Sequence, residues 1–189
     1  MNHHSQLAHQ VIEEVQKAVI GKQDCIEKVM MAILSSGHIL LEDIPGVGKT
    51  TMALAFSRVL NLKEKRLTFT PDVLPADLTG FTMYRKETNK FYYQPGALMC
   101  NLFLGDEINR TSPKTQSALL EVMEEGQVSV DGATHPVPKP FIVMATQNPA
   151  GSAGTQLLPQ SQMDRFSICL QIGYPEQNEE ISILKGRLA

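Results

Sequence analysis

Apolar residues along the 189-residue chain follow two alternating patterns. Apolar residues spaced three or four apart are typical of amphipathic helices, and they occupy 5–18, 23–34, 52–60 and 113–125. Short continuous apolar runs, typical of strands buried on both faces of a parallel sheet, lie at 39–41, 102–104 and 141–145. An alternating strand is expected at 66–70, with turns forced by Pro71 and Pro75, and a last strand at 166–172. Ser112 and Pro113 are expected to begin the helix at 113–125, and Gly126 to end it. A last amphipathic helix begins at Pro175. The alternation of strands and helices predicts an α/β fold with right-handed crossovers.

Two segments outside this alternation predict β-hairpins. The first spans about 81–94 and the second about 127–137, each with apolar residues on both sides of a polar turn. The first hairpin concentrates aromatic side chains, at Tyr84, Phe91, Tyr92 and Tyr93. It is either a plain surface hairpin or a surface that contacts a partner.

The first apolar run leads into a glycine-rich loop. The residues after it, up to the start of the next helix, include Pro45, Gly46, Val47, Gly48, Lys49, Thr50 and Thr51. Strand, tight loop and helix is the context of a phosphate-binding loop, in which backbone N–H groups and the helix N-terminus face an anion. We expect Lys49 to contact the β- and γ-phosphates and the Thr50 hydroxyl to bind Mg²⁺. Asp43 stands where this motif usually begins with glycine, and the alternative is an ordinary glycine-rich turn.

Polar side chains also follow the next two apolar runs. Asp106 and Glu107 come directly after the run at 102–104, and Asn148 follows the run at 141–145. Open α/β sheets bind ligands at the edge where their strands end. We therefore expect Asp106 to bind Mg²⁺, Glu107 to polarise an attacking water, and Asn148 to orient that water or contact the γ-phosphate. These are the parts that hydrolysis of ATP requires.

Bulk composition limits the alternatives without choosing among them. The net charge of −3 gives no whole-chain signal for nucleic acid or anionic lipid. Cys25, Cys100 and Cys169 are too far apart in sequence for a zinc motif, and their apolar neighbours suggest core residues in a reducing compartment. No apolar run is long enough for a membrane span, and the polar N-terminus is unlike a signal peptide. We expect a cytoplasmic protein.

Three longer stretches resemble the AAA+ ATPases, and specifically the MoxR family. The strongest resemblance is Asp106-Glu107-Ile108-Asn109-Arg110 followed by the stretch 114–128. Ala145-Thr146-Gln147-Asn148-Pro149 is similar to the end of the family's sensor-1 strand. Leu158-Pro159 through Met163-Asp164-Arg165-Phe166 is similar to the segment before its last strand. The resemblance extends from about residue 10 to nearly the end of the chain.

This resemblance implies a P-loop AAA+ core at 1–173, with a five-stranded parallel sheet flanked by helices, and the first helix of a truncated helical lid at 174–189. The hairpins resemble two family inserts that face the pore or the substrate in related ring ATPases. Ile20 and Gly21 resemble the segment that lines the adenine pocket. Arg165 resembles an arginine finger, which reaches the nucleotide of a neighbouring subunit, and Arg110 is a lesser candidate for a subunit interface. Arg165 could instead be a structural residue paired with Asp164 or with a helix end.

The same resemblance implies ATP and Mg²⁺ as cofactors, assembly into a homo-oligomer that is typically a hexameric ring, and partner proteins with von Willebrand factor A domains. The expected activity is ATP hydrolysis that drives chaperone-like remodelling or maturation of protein complexes. Two alternatives stay open: a relative that acts on nucleic acid, and a nucleotide-binding fragment without turnover. A GTPase is disfavoured because Asn89-Lys90 lacks the acid of the guanine-reading motif.

Overall fold

The computed structural model describes residues 3–42, 48–147 and 158–173. Its helices are α1 (His3–Ala18), α2 (Gln23–Leu34), α3 (Lys49–Val59), α4 (Pro75–Thr79), α5 (Pro113–Glu125) and α6 (Gln160–Met163). Its strands are β1 (Ile39–Glu42), β2 (Glu64–Thr68), β3 (Gly80–Arg85), β4 (Lys90–Pro95), β5 (Leu102–Asp106), β6 (Gln127–Val130), β7 (Ala133–Pro136), β8 (Ile142–Gln147) and β9 (Ile168–Leu170). A 3₁₀ turn covers Ile108–Arg110. The expected lid helix at 174–189 lies outside the described residues.

Five strands form one parallel sheet in the order β2-β5-β8-β1-β9. The predicted five-stranded sheet is therefore confirmed. β1 and β8 lie at its centre and are paired from Ile39 with Met144 to Glu42 with Gln147. The strands that precede the glycine-rich loop and Asn148 are neighbours, so their carboxyl ends meet at one edge of the sheet.

Alternating side chains of the central strands enter two cores, one on each face of the sheet. Leu102 and Leu104 of β5 pack on one face with α1, α2 and α3. Phe103, between them, packs on the other face with α5 and the second hairpin. Because both faces are covered, the buried strands read as continuous apolar runs rather than as alternating patterns.

Local signals at the ends of α5 work as the sequence predicts. The Ser112 hydroxyl accepts a hydrogen bond from the Thr115 N–H at 3.2 Å, and Pro113 is the first helical residue. Gly126 ends the helix with φ 64°, the left-handed conformation that glycine adopts without steric cost. These caps fix where α5 begins and ends, and so set the positions of the side chains near both ends of the helix.

Both predicted hairpins are present. β3 pairs with β4, and β6 pairs with β7. The Tyr93 ring of the first hairpin stacks on the His135 ring of the second, with centroids 3.8 Å apart and an interplanar angle of 9°. A cleft of about 560 Å³ lies between the hairpins. Its walls include Phe91, a side chain with 74% of its surface exposed.

The structure differs from the sequence interpretation in two local elements. The segment from Pro71 to Pro75 was expected to form turns only, but α4 begins at Pro75. Proline suits a first helical position, and the Asp77 carboxylate accepts the Leu74 N–H at 2.8 Å. β2 covers Glu64–Thr68 rather than 66–70, because this edge strand pairs with β5 alone and its exposed positions carry charged residues.

The cysteine interpretation is partly wrong. Cys25 and Cys100 are buried, as expected, but Cys169 is exposed on the edge strand β9. Partial burial of its thiol, together with the nearby Glu42 carboxylate, raises the pKa of Cys169 to about 11. Among the described helices, none combines the length and the apolar character that a bilayer span requires.

Candidate functional site

The glycine-rich loop leads into α3 at the carboxyl edge of the sheet. Gly48 is the residue before the helix and has φ 94°, a conformation that residues with a side chain rarely adopt. Lys49 is the first helical residue, and its side chain is buried. A buried lysine at a helix N-terminus places a positive charge beside exposed backbone N–H groups, which favours an anion at that point. Thr50 is half-buried and Thr51 is exposed in the same turn.

Pro45, Gly46 and Val47 lie outside the described residues, as does Asn148. Their assignments as phosphate-binding and water-orienting residues stay predictions. Ile20 and Gly21 form the turn between α1 and α2, with Gly21 at φ 73°. α1 also contacts α3, so this turn joins two helices on the face of the sheet that α3 covers.

Asp106 is the last residue of β5 and is buried. Its Oδ2 accepts a hydrogen bond from Arg66 Nε at 2.7 Å. Arg66 lies on the neighbouring strand β2, and about half of its side chain is exposed. One oxygen of the carboxylate that was predicted to bind Mg²⁺ is therefore engaged by a cation of the same chain, in a charge-assisted hydrogen bond.

Glu107 has a left-handed backbone, with φ 59° and ψ 47°. Such a conformation costs about 1–3 kcal/mol in a residue other than glycine. It is held by the Thr146 hydroxyl, which accepts the Glu107 N–H at 2.9 Å, and Arg110 Nη1 donates to Glu107 Oε2 at 2.8 Å. Strain of this kind concentrates where a side chain must point in one direction. The strained residue, Glu107, directly follows Asp106, the last residue of β5.

Gln147 supplies the third strand end. It is buried at the end of β8, and its Nε2 donates to the Glu42 carboxylate at the end of β1. Its Oε1 is buried and has no hydrogen-bond partner within the described residues. Buried polar atoms are nearly always satisfied. This oxygen therefore marks a place where a further donor fits, next to the predicted position of Asn148.

These residues fit a magnesium–nucleotide. Lys49 and the start of α3 can hold phosphate, while the Thr50 hydroxyl and the Asp106 carboxylate are oxygen ligands of the kind that Mg²⁺ prefers. The β-sheet register sets Asp106 one residue beyond the pair Gly105–Ala145, level with Thr146. The structure thus brings Lys49, Asp106 and Glu107 to one edge of the sheet.

Arg165 is not at this edge. It lies two residues before Ser167, whose N–H donates to the His38 carbonyl at 2.8 Å. His38 precedes the first residue of β1, whereas the glycine-rich loop follows its last residue. The four residues of β1 separate these levels by about 13 Å. Arg165 therefore belongs to the amino edge of the sheet, opposite the candidate site of its own chain.

The side chain of Arg165 is paired with α5. Its Nη1 donates to the Leu120 carbonyl at 3.2 Å and to the Glu124 carboxylate, both on α5. Asp164, the partner considered from sequence, instead accepts a hydrogen bond from Gln160. A groove of about 370 Å³ opens beside Arg165, and its walls include Glu121 and Glu124.

Sequence patterns did not identify the residues that hydrogen-bond to the site residues and position them. Arg66 and Glu42 carry no motif, and their contacts with Asp106 and Gln147 come from strand pairing. Thr146 and Gln147 lie inside the segment that resembled sensor 1, but no role was assigned to them. The sequence did contain a signal for Thr146 and Gln147, because two polar residues at the end of an apolar run are unusual in a wholly buried strand.

Comparison with known proteins agrees with this architecture. A sequence model described as the ATPase family associated with various cellular activities (AAA) matches residues 38–168. The chain is 51% identical to the uncharacterized protein YeaC of Bacillus subtilis over 178 residues, which are 94% of this chain and 56% of that protein. It is 44% identical to the chaperone MoxR1 of Mycobacterium tuberculosis over 173 residues, 92% of this chain and 46% of that protein.

The fold agrees as well. The crystal structure of a candidate ATPase from Cytophaga hutchinsonii superposes with a TM-score of 0.85 at 39% identity, covering 95% of this chain and 55% of that one. The chain thus spans about half the length of the curated relatives it matches.

Proposed function

This chain belongs to the AAA family of ATPases, with MoxR proteins among its relatives, and we propose that it binds ATP with Mg²⁺ and hydrolyses it at a site completed by a neighbouring copy. The observation that carries the proposal is the meeting of a buried lysine, a buried aspartate and a strained glutamate at one sheet edge. Lys49, Asp106 and Glu107 come from separate parts of the chain. Burial of charged groups costs free energy, so packing of the core does not explain these charges at the ends of apolar strands.

Each residue has one part in the proposed reaction. The glycine-rich loop, with Gly46 and Gly48, and Lys49 hold the β- and γ-phosphates. Thr50 and Asp106 would hold Mg²⁺, directly or through water, and the ion would neutralise phosphate charge. Glu107 accepts a hydrogen bond from the attacking water and orients it, and Asn148 holds the same water or the γ-phosphate. Ile20 and Gly21 line the adenine pocket.

A neighbouring copy supplies the last cation. Arg165 lies at the sheet edge away from its own Lys49, which supports a role in trans as an arginine finger. Such a finger stabilises the charge of the transition state. We propose that the protein works as a ring, with six subunits as the expected number, and that 174–189 begins a helical lid.

The two hairpins are the proposed contact with clients. The first hairpin exposes Phe81, Tyr84 and Phe91, and a cleft opens between the two hairpins. Exposed aromatic groups of this kind are typical of protein-binding surfaces. We propose chaperone-like remodelling or maturation of protein complexes, with partners that carry von Willebrand factor A domains.

The hairpin charges weigh against a function on nucleic acid. The turn of the second hairpin carries Asp131, and the tip of the first mixes Lys86 and Lys90 with Glu87. Arg85 lies over the Tyr92 ring, 4.5 Å from its centroid. A surface that follows phosphates needs several unopposed cations.

Nucleotide binding tests the proposal. Lys49→Ala should abolish binding of ATP measured by calorimetry, whereas Lys28→Ala, which removes an exposed lysine paired with Asp24, should leave it unchanged. Unaltered ATP affinity in Lys49→Ala would refute the proposed phosphate site. Equal losses in both variants would point to a general effect of charge.

A further inference from the structure

Arg165 is held through one edge of its guanidinium group. Nη1 makes both contacts, with the Leu120 carbonyl and with the Glu124 carboxylate. Within the described residues, Nε and Nη2 make no hydrogen bond, and 38% of the side chain is exposed. A guanidinium group has five N–H donors in a rigid fork. Pairing one edge with α5 leaves the other edge available to an anion outside the chain.

The anchor on α5 is rigid. Leu119, Leu120 and Met123 are buried in the core. His38 fixes the same turn of the helix, because Val143 N–H donates to its Nδ1 at 3.0 Å and its Nε2 contacts the Met123 carbonyl at 3.1 Å. The Leu120 carbonyl that holds Arg165 therefore keeps its position relative to the sheet, and the backbone from which the exposed Glu124 side chain extends is fixed as well.

The backbone of Arg165 is fixed as well. Phe166, the next residue, is buried, and its N–H donates to the Met163 carbonyl at 2.9 Å. Ser167 is bonded to the residue before β1. Only the side chain of Arg165 can move, and Glu124 is the charged group that limits that movement.

The other end of α5 reaches the nucleotide edge. Gln116 Nε2 donates to the Ile108 carbonyl at 3.0 Å, next to Glu107, and Ser112 caps the helix there. From Ser112 to Glu124 the helix rises about 18 Å. One packed helix thus connects the residue proposed to orient water in one subunit with the arginine proposed to serve the next.

We propose that Glu124 is a positioning residue for Arg165: it holds the guanidinium group in the orientation in which its free edge faces the nucleotide of a neighbouring copy. This inference rests on the proposed function, because it requires Arg165 to act in trans. An arginine that is already oriented loses less side-chain freedom when the transition state forms. Removal of Glu124 should then slow turnover without changing ATP affinity.

The experiment compares two glutamates of the same helix. Glu124→Ala should lower kcat by up to about 10²-fold, the size of effect that a misplacement of about 1 Å can produce, with unchanged ATP affinity and unfolding temperature. Glu124→Gln keeps an acceptor without the charge and should fall between wild type and Glu124→Ala. Glu121→Ala is the matched control, since Glu121 lines the same groove but makes no hydrogen bond within the described residues. Equal kcat values for Glu124→Ala and Glu121→Ala would overturn the proposal.

A mixture of variants shows where Glu124 acts. Lys49→Ala has no working site but an intact Arg165, so adding it to Glu124→Ala should raise the turnover of each Glu124→Ala chain. A loss of kcat that the mixture does not restore would mean that Glu124 acts within its own site, and the proposal would be wrong. Failure of the proposed function gives a different result, because Arg165→Ala would then hydrolyse ATP at the wild-type rate, or wild type would not hydrolyse it.

Discussion

The two edges of the central sheet carry their polar residues in opposite ways. At the amino edge, the buried His38 has a partner for both ring nitrogens: Nδ1 accepts from Val143 N–H, so Nε2 bears the hydrogen that faces the Met123 carbonyl. At the carboxyl edge, Gln147 Oε1 is buried without a partner within the described residues, and Glu107 is strained. Unpaired oxygens and left-handed backbones also occur elsewhere in the described residues, at Gln162 Oε1 and at Ser36. The carboxyl edge is distinguished because its unpaired oxygen and its strained residue lie at the strand ends that carry Asp106 and Glu107.

The amino edge also carries a charged residue that its own chain pairs incompletely. Arg165 is paired on one side only and faces outward. Because the two edges of one chain are separated by the length of the strands, the chain cannot use both on one nucleotide. The comparison therefore predicts that chemistry depends on the carboxyl edge of one subunit and the amino edge of the next.

The largest expected effect is at the amino edge. Arg165→Ala should lower kcat about 10³-fold, the lower end of the range for arginine fingers, because the transition-state charge loses its cation. ATP affinity should stay near the wild-type value, since Lys49 and the loop of the same chain are intact. Steady-state hydrolysis and equilibrium binding, measured on the same preparation, check this. A kcat close to wild type would make Arg165 a structural residue.

Glu107→Gln should have the next largest effect. Loss of the carboxylate that orients water should reduce kcat by about 10²-fold or more, while ATP binding is retained. Single-turnover hydrolysis measures the chemical step, and Glu87→Gln, at the exposed hairpin tip, is the control. Normal turnover in Glu107→Gln would mean that the carboxylate at the carboxyl edge takes no part in hydrolysis.

His38→Gln should destabilise the fold rather than change the chemistry. Replacing a buried, fully bonded side chain costs about 1–3 kcal/mol in the free energy of unfolding, with ATP affinity unchanged. Burial lowers the pKa of His38 below its usual value near 6.5, so the unfolded chain takes up a proton that the folded chain does not. Wild type should therefore lose stability as the pH falls below 6.5, towards the lowered pKa of the folded state.

Comparison of wild type with His38→Gln separates the contribution of His38 to the pH dependence of stability from the contributions of other titrating groups. Since glutamine does not titrate, the stability difference between wild type and His38→Gln should shrink as the pH falls from 7 to 5, by at most about 1.4 kcal/mol per pH unit. Denaturant unfolding at several pH values measures this difference. A constant difference would mean that His38 is not held neutral at the amino edge.

Arg110→Ala should have the smallest effect. Its ion pair with Glu107 is partly exposed, and such pairs contribute about 0–1 kcal/mol. We expect a change in unfolding free energy within that range and a kcat reduced much less than in Glu107→Gln. A loss of turnover as large as that of Glu107→Gln would mean that Arg110 orients the carboxylate.

The sequence predicted the strands and their ends because both depend on local patterns. A buried run such as 102–104 must be followed by residues that can face water or a ligand, and Asp106 and Glu107 are such residues. The caps of α5 were visible for the same reason, since Ser112, Pro113 and Gly126 act on their own helix.

Contacts between distant segments could not be predicted in this way. Arg66 meets Asp106 across two paired strands, and Glu124 of α5 meets Arg165 in the turn between α6 and β9. Nothing in the local sequence of either residue distinguishes it from other exposed charges. Cys169 was misplaced for a related reason: its apolar neighbours suggested a core position, but β9 is an edge strand with one exposed face.

The central claim is that one nucleotide site needs two copies of the chain. ATP hydrolysis per chain should be measured over a range of protein concentrations, with the molar mass of the assembly determined at each one. The account predicts that hydrolysis per chain rises in step with the assembled fraction, and that Arg165→Ala shows no such rise. A monomer that hydrolyses ATP as fast per chain as the assembly does would contradict it.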